Sequence, residues 1–279
     1  MPQMTVDDIT IAYDDIGASD EIGAGKDAIV FVHGHPFDRS MWTPQHETVR
    51  AAGWRGVIAD LRGYGETSVV AGKTPLDRFA ADIVGLADRL GIDRFVIVGL
   101  SMGGQIAMEL CRGYPERIRG LVLAATSPQA ETEEGKARRA AMAARYLGEG
   151  MGGYAHEVLE KMVAPRNIAA MPAVAAKVMA MMENAPPEGA AAAMLGRAER
   201  PDYRETLAAF DKPALVVVGD EDGFTTRAEA EMMRDLLKGS RLVWLEGVGH
   251  MPNLERETEF NAALNDFLAE VAKDGKVQP

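Results

Sequence analysis

Apolar positions along the chain fall into two kinds of run. Residues 29–32, 57–59, 95–98, 121–124, 215–218 and 242–245 are short, nearly unbroken and mostly aliphatic or β-branched. Runs of that kind predict strands buried on both faces of a parallel sheet. Between them lie longer stretches with apolar residues three and four apart. One of these, 76–90, carries Phe79, Ile83, Leu86 and Leu90; another, 102–112, carries Ile106, Ala107 and Leu110. With the similar patterns at 228–237 and 257–271 they predict amphipathic helices. Alternation of strand and helix implies a layered α/β sheet. Residues 9–13 read as an earlier strand, antiparallel at the sheet edge.

The alternation stops between residues 127 and 206. That stretch has no strand-like run, is rich in Ala, and holds half of the 16 methionines. Pro165, Pro172, Pro186, Pro187 and Pro201 punctuate it as helix boundaries. We read residues 1–126 and 207–279 as an α/β core and 127–206 as a helical lid. An insertion there sits over the carboxyl ends of the strands, where ligands bind. Its flexible thioethers suit an adaptable, apolar pocket. Residues 273–279 read as a frayed tail.

Composition removes several classes of function. With 47% hydrophobic and 26% charged residues the chain is of ordinary globular make-up. A formal net charge of −12 disfavours nucleic acid and anionic membrane surfaces as partners. The lone Cys111 allows neither an intrachain disulfide nor a cysteine-rich zinc site, and the five histidines lack metal spacing. The first residues show no basic-then-apolar signal, and no apolar run reaches membrane-spanning length. A cytoplasmic protein without a cofactor or metal is expected.

The segment Gly99-Leu100-Ser101-Met102-Gly103 supplies the chemistry. It is a G-x-S-x-G between a predicted strand and a predicted helix, the context of a nucleophile elbow. Ser101 then stands on a sharp turn, and the helix opening at Met102 aims its N–H groups where negative charge develops. A serine hydroxyl needs a base. His250, on the loop after the 242–245 strand, lies at the same rim. A base in turn needs an acid to orient it. Asp220, Glu221 and Asp222 compete after the 215–218 strand. Asp220 is still leaving that strand, so Asp222 is favoured. The bland readings are a satisfied loop histidine for His33, surface positions for His46 and His156, packing for Trp42, and a buried small hydrophobe for Cys111.

These segments, with Phe31-Val32-His33-Gly34-His35-Pro36 and Asp60-Leu61-Arg62-Gly63-Tyr64-Gly65, resemble the α/β-hydrolase superfamily. The order Ser, Asp, His is the one that fold uses. His-Gly-x-Pro with Met41-Trp42 looks most like the bacterial arylesterase, 3-oxoadipate enol-lactonase and cofactor-free haloperoxidase (perhydrolase) group. The resemblance implies a mostly parallel sheet flanked by helices, and a structural loop role for Asp60 and Arg62. It implies catalytic Ser101, Asp222 and His250, with backbone oxyanion donors at His35 and Met102. Pro36 has no N–H, which leaves Gly34, His35 or Phe37 as the first donor. The family position of His35 often carries a bulky apolar residue, so its side chain is expected to pack beside Phe37 or meet solvent, with a polar role in the pocket as the alternative.

The expected activity is hydrolysis of a small, mainly apolar ester or lactone through an acyl-enzyme. Perhydrolysis and carbon–carbon bond hydrolysis use the same triad. Epoxide hydrolase and haloalkane dehalogenase chemistry need a carboxylate at position 101. A ligand receptor without turnover is the alternative of another class.

Overall fold

Consecutive β-branched and aliphatic side chains favour an extended backbone with both faces covered, and the six expected runs are six parallel strands in the computed structural model. The structure describes residues 2–17 and 27–274. In chain order the core opens with β1 (Gln3–Val6), β2 (Ile9–Ile16) and β3 (Ala28–Val32). Helix α1 (His46–Ala51), β4 (Arg55–Ala59), α2 (Leu76–Arg89), β5 (Phe95–Leu100), α3 (Met102–Gly113) and β6 (Ile118–Ala124) follow. Six helices come next: α4 (Glu133–Glu149), α5 (Gly152–Met162), α6 (Pro165–Ala170), α7 (Pro172–Asn184), α8 (Pro187–Arg197) and α9 (Arg204–Ala209). The chain then returns to the sheet as β7 (Ala214–Gly219), α10 (Arg227–Leu236), β8 (Arg241–Leu245), α11 (Pro252–Glu255) and α12 (Glu257–Asp274).

The strand order is β1-β2-β4-β3-β5-β6-β7-β8. The first two strands are antiparallel additions and the rest run parallel. Side chains alternate between two cores. Val30, Val32, Phe95 and Ile97 pack toward Phe79, Ile83 and Ile106 of α2 and α3. Ile29, Phe31, Val96 and Val98 pack toward Phe260, Leu264 and Phe267 of α12. Covering both faces is what lets such strands do without polar positions. No helix among the described residues is long and apolar enough to cross a membrane.

Three details differ from the sequence reading. The 9–13 strand is antiparallel as expected, but it runs to Ile16 and lies second from the edge. β1 covers it, a four-residue strand with one buried position, too short for periodicity to reveal. The supposed tail begins later, because α12 continues through Asp274; 275–279 lie outside the described residues. His46 is half-buried rather than a surface residue, and burial lowers its pKa.

The parallel register brings four strand ends together. Val32 pairs with Gly99, Leu100 with Ala124, and Gly219 with Leu245. The loops after β3, β5, β7 and β8 therefore share one rim. The β3 loop is braced by the β4 loop. The Leu61 N–H donates to His33 Nε2 at 2.9 Å, so the Nδ1 proton of His33 goes to the Gly34 carbonyl, also at 2.9 Å. Asp60, 1% exposed, accepts from the backbone N–H of Arg39 at 2.7 Å and of Glu66 at 2.9 Å, and pairs with the Arg39 guanidinium. Arg62 is likewise structural, forked onto Asp8 and Asp82. Losing Asp60 leaves two backbone N–H groups without their acceptor, while the Arg39 guanidinium keeps Asp14 and Glu66. Asp60→Ala is expected to lower unfolding stability by about 3 kcal/mol in urea titration; an unchanged midpoint would contradict this bracing role.

Candidate active site

Ser101 lies between β5 and α3 with φ 56° and ψ −113°, a left-handed backbone that a non-glycine residue adopts only under constraint. Its N–H donates to the Ala124 carbonyl at 2.9 Å. Its own carbonyl accepts from Gln105 N–H at 3.1 Å and from Thr126 Oγ1 at 2.7 Å. The flanking glycines are steric requirements. A Cβ at Gly99 would strike the Gly103 carbonyl, and one at Gly103 would strike the Val32 carbonyl. Strand and helix thus approach with no side chain between them. The first turn of α3 leaves its N–H groups without intrahelical partners, beside the hydroxyl.

The three competing acids have different partners. Both Asp222 oxygens lie 2.9 Å from His250 Nδ1, and both side chains are buried. Asp222 Oδ1 also accepts from the Phe224 N–H at 2.7 Å and the Thr225 N–H at 3.0 Å. Asp220 instead accepts from Gly247 N–H at 2.6 Å and Val248 N–H at 3.2 Å, shaping the histidine loop. Glu221 pairs with Arg166. A proton held on Nδ1 by the carboxylate leaves the His250 Nε2 lone pair free. The Phe224 ring lies 4.8 Å from the imidazole, centroid to centroid.

Glu255 was not singled out from the sequence. Its buried carboxylate accepts from the N–H groups on either side of His250, Gly249 at 2.9 Å and Met251 at 3.3 Å. Its other oxygen accepts from Ala164 N–H at 2.9 Å and Asn167 Nδ2 at 2.7 Å. Burial pushes its pKa up, against the pull of those donors. The His250 N–H donates to the Met162 carbonyl at 2.9 Å. The sequence carries no signal for it, since it is one of 42 acidic residues and only the fold brings these donors together.

His35 neither packs against Phe37 alone nor meets solvent. Its ring is buried, with Nδ1 2.7 Å from the Tyr64 hydroxyl and Nε2 3.2 Å from the Tyr146 hydroxyl. Burial, reinforced by Arg197 and Arg139, lowers its pKa well below the usual value. A neutral ring with one donor and one acceptor nitrogen satisfies both tyrosines. Cys111 is buried within α3 and its thiol is pushed up to about 12, which keeps it an unreactive packing residue. Trp42 is fully buried against Phe31 and Phe260. His156 is exposed, as expected. Among the described residues no three His, Cys, Asp or Glu side chains are grouped to hold a metal ion.

Ser101, His250 and His35 line one cavity of about 510 Å³. Its far walls come from the helices between β6 and β7, and here the expectation of an apolar pocket fails. Met142, Met162 and Met194 are present, but Arg138, Arg139 and Arg197 stand among them. In a helix of Ala, Met and Arg the polar and apolar faces are too weakly contrasted for spacing to show which side turns inward.

The model of the alpha/beta hydrolase family matches residues 29–263, from β3 into α12. The chain is 26% identical over 265 residues to 3-oxoadipate enol-lactonase 2 of Acinetobacter baylyi, covering 95% of each. It is 28% identical to the 2-hydroxy-6-oxononadienedioate/2-hydroxy-6-oxononatrienedioate hydrolase of Paraburkholderia phymatum, covering 90% of each. A solved thermophilic esterase from Thermogutta terrifontis superposes with a TM-score of 0.90 at 34% identity, covering 97% of this chain and 98% of that one. The strained elbow, the shared strand-end rim and these matches agree: the chain belongs to the alpha/beta hydrolase family.

Proposed function

We propose that this protein hydrolyses carboxylic esters or lactones through an acyl-enzyme on Ser101. The observation that carries the reading is the meeting, in one cavity, of a serine held in a strained turn and a histidine fixed by a buried carboxylate. Ser101 Oγ attacks the carbonyl carbon while His250 Nε2 takes its proton. Asp222 holds the imidazole and stabilises the cation that forms. The backbone N–H groups of His35 and Met102 hold the oxyanion, each worth roughly 3–4 kcal/mol in comparable sites. The carbonyl re-forms, the C–O bond to the leaving alkoxide breaks, and His250 returns the proton to that oxygen. Water, deprotonated by His250, then attacks the acyl-enzyme and releases the acid and free Ser101. For a lactone, alcohol and acid leave as one molecule. The helices of residues 127–206 serve as the lid that shapes the cavity. The enol-lactonase and esterase likenesses support ester-type bonds as the target.

Ser101→Ala is expected to lower kcat/KM for p-nitrophenyl acetate by about 10⁴-fold or more with the fold retained. An organophosphonate is expected to add its mass once, to the peptide holding Ser101. Full turnover by the variant refutes the assignment. The two aspartates separate in a second experiment. Asp222→Ala is expected to cost about 10⁴-fold in kcat. Asp220→Ala, which loses only loop hydrogen bonds, is expected to cost less than about 100-fold. The reverse ranking, read from the same ester assay, moves the acid to Asp220.

A further inference from the structure

The chain carries a net charge of −12, yet the cavity over Ser101 is cationic. Arg138, Arg139, Lys161, Arg197 and Arg200 line it, against Glu131 and Glu229. Both carboxylates are engaged. Glu229 caps α10, exchanging hydrogen bonds with Thr226. Glu131 takes Arg139 and, at 2.7 Å, Arg200; burial works against its charge, but the two guanidiniums hold the carboxyl down at about 2.

Arg197 is left over. It is 8% exposed, at the end of α8. Its Nε donates to Gln105 Oε1 at 3.1 Å, and its Nη1 lies 4.0 Å from the Met194 sulfur. Among the described residues no carboxylate lies within 4.0 Å of it. Burial, then the Arg139 and Arg200 charges, push its pKa well below the ordinary value. A guanidinium does not give up its proton in a protein, so the charge stays, and no carboxylate offsets its desolvation beside the neutral Gln105 oxygen. Such a breach of the folding rules is characteristic of a functional site. The side chain is also deliberately placed. α8 lies backbone-to-backbone on the core: a Cβ at Gly189 would strike the Gly63 carbonyl, and one at Gly196 the Thr74 carbonyl. The partner Gln105 belongs to the first turn of α3, where its N–H bonds the Ser101 carbonyl. One helical turn is roughly 5 Å.

We infer that Arg197 receives a carboxylate carried by the substrate, so that the substrate class is a half-ester of a short dicarboxylic acid. A guanidinium in a cavity wall offers the planar two-bond fork that matches a carboxylate. This inference rests on the esterase reading and narrows its substrate.

The test compares p-nitrophenyl hydrogen glutarate with its neutral methyl ester, p-nitrophenyl methyl glutarate. The wild-type protein is expected to favour the half-ester by about tenfold or more in kcat/KM, the scale of one charged hydrogen-bonded contact. In Arg197→Met that ratio is expected to fall to about one. A wild-type ratio of one or less overturns the inference, and so does a ratio that survives the substitution. A second measurement needs neither turnover nor a stable Arg197 variant: glutarate titrated into the Ser101→Ala protein is expected to bind saturably, and no binding overturns the inference. Arg197→Met without ligand is expected to melt no lower than wild type, since it removes an unpaired buried charge. A lower melting temperature with an unchanged substrate ratio assigns Arg197 to the fold and overturns the inference. Failure of the esterase reading shows separately, as turnover that persists in Ser101→Ala.

Discussion

The backbone of Ser101 is the constraint on which the rest is built. A left-handed conformation at a residue with a side chain costs on the order of 1–3 kcal/mol and persists only where the surroundings over-determine it. Here they do. β6 takes the Ser101 N–H, α3 and Thr126 take its carbonyl, and the absent side chains at Gly99 and Gly103 let strand and helix close onto the turn. One result is a hydroxyl presented at the sheet rim beside the loops of β3, β7 and β8. Another is a helix start whose unpaired N–H groups face the same point.

The helices between β6 and β7 are stapled to the loops they cover. Met162 holds the His250 backbone, Ala164 and Asn167 hold Glu255, and Tyr146 holds His35. Glu255 is the joint between the two parts, with one oxygen serving the histidine loop and the other the start of α6. Tyr64 and Tyr146 do the same for the β3 loop from opposite sides. Cavity wall and loops therefore form one hydrogen-bonded body, and a change in α4 or α5 reaches His35 or His250 through a single contact.

The strands of the parallel sheet were legible because burial on both faces leaves an unbroken apolar run in the sequence, and the elbow because sterics demand glycine at two fixed offsets. Asp222 was separable from Asp220 by counting how soon each leaves its strand, and the contacts each makes follow that count. What escaped has a common cause. β1 is too short for a period to register. Glu255 reads as one acid among many until Gly249, Met251 and Ala164 are seen to converge on it. The arginines lie on helices far apart in sequence, and only packing shows that Arg139 and Arg197 meet. The chain's net negative charge pointed away from them, because a whole-molecule sum says nothing about the sign inside one cavity.

The contact of α8 with the core has a further consequence. Two hydrogen atoms, standing where side chains would be at Gly189 and Gly196, fix how close that helix comes to Gly63 and Thr74. The wall carrying Arg197 is for that reason seated on core backbone rather than on side chains, while Met142 and Met162 elsewhere in the lining are unbranched and able to bend. The cavity thus joins a firmly seated segment to yielding ones, and the seating is set by two missing methyl groups.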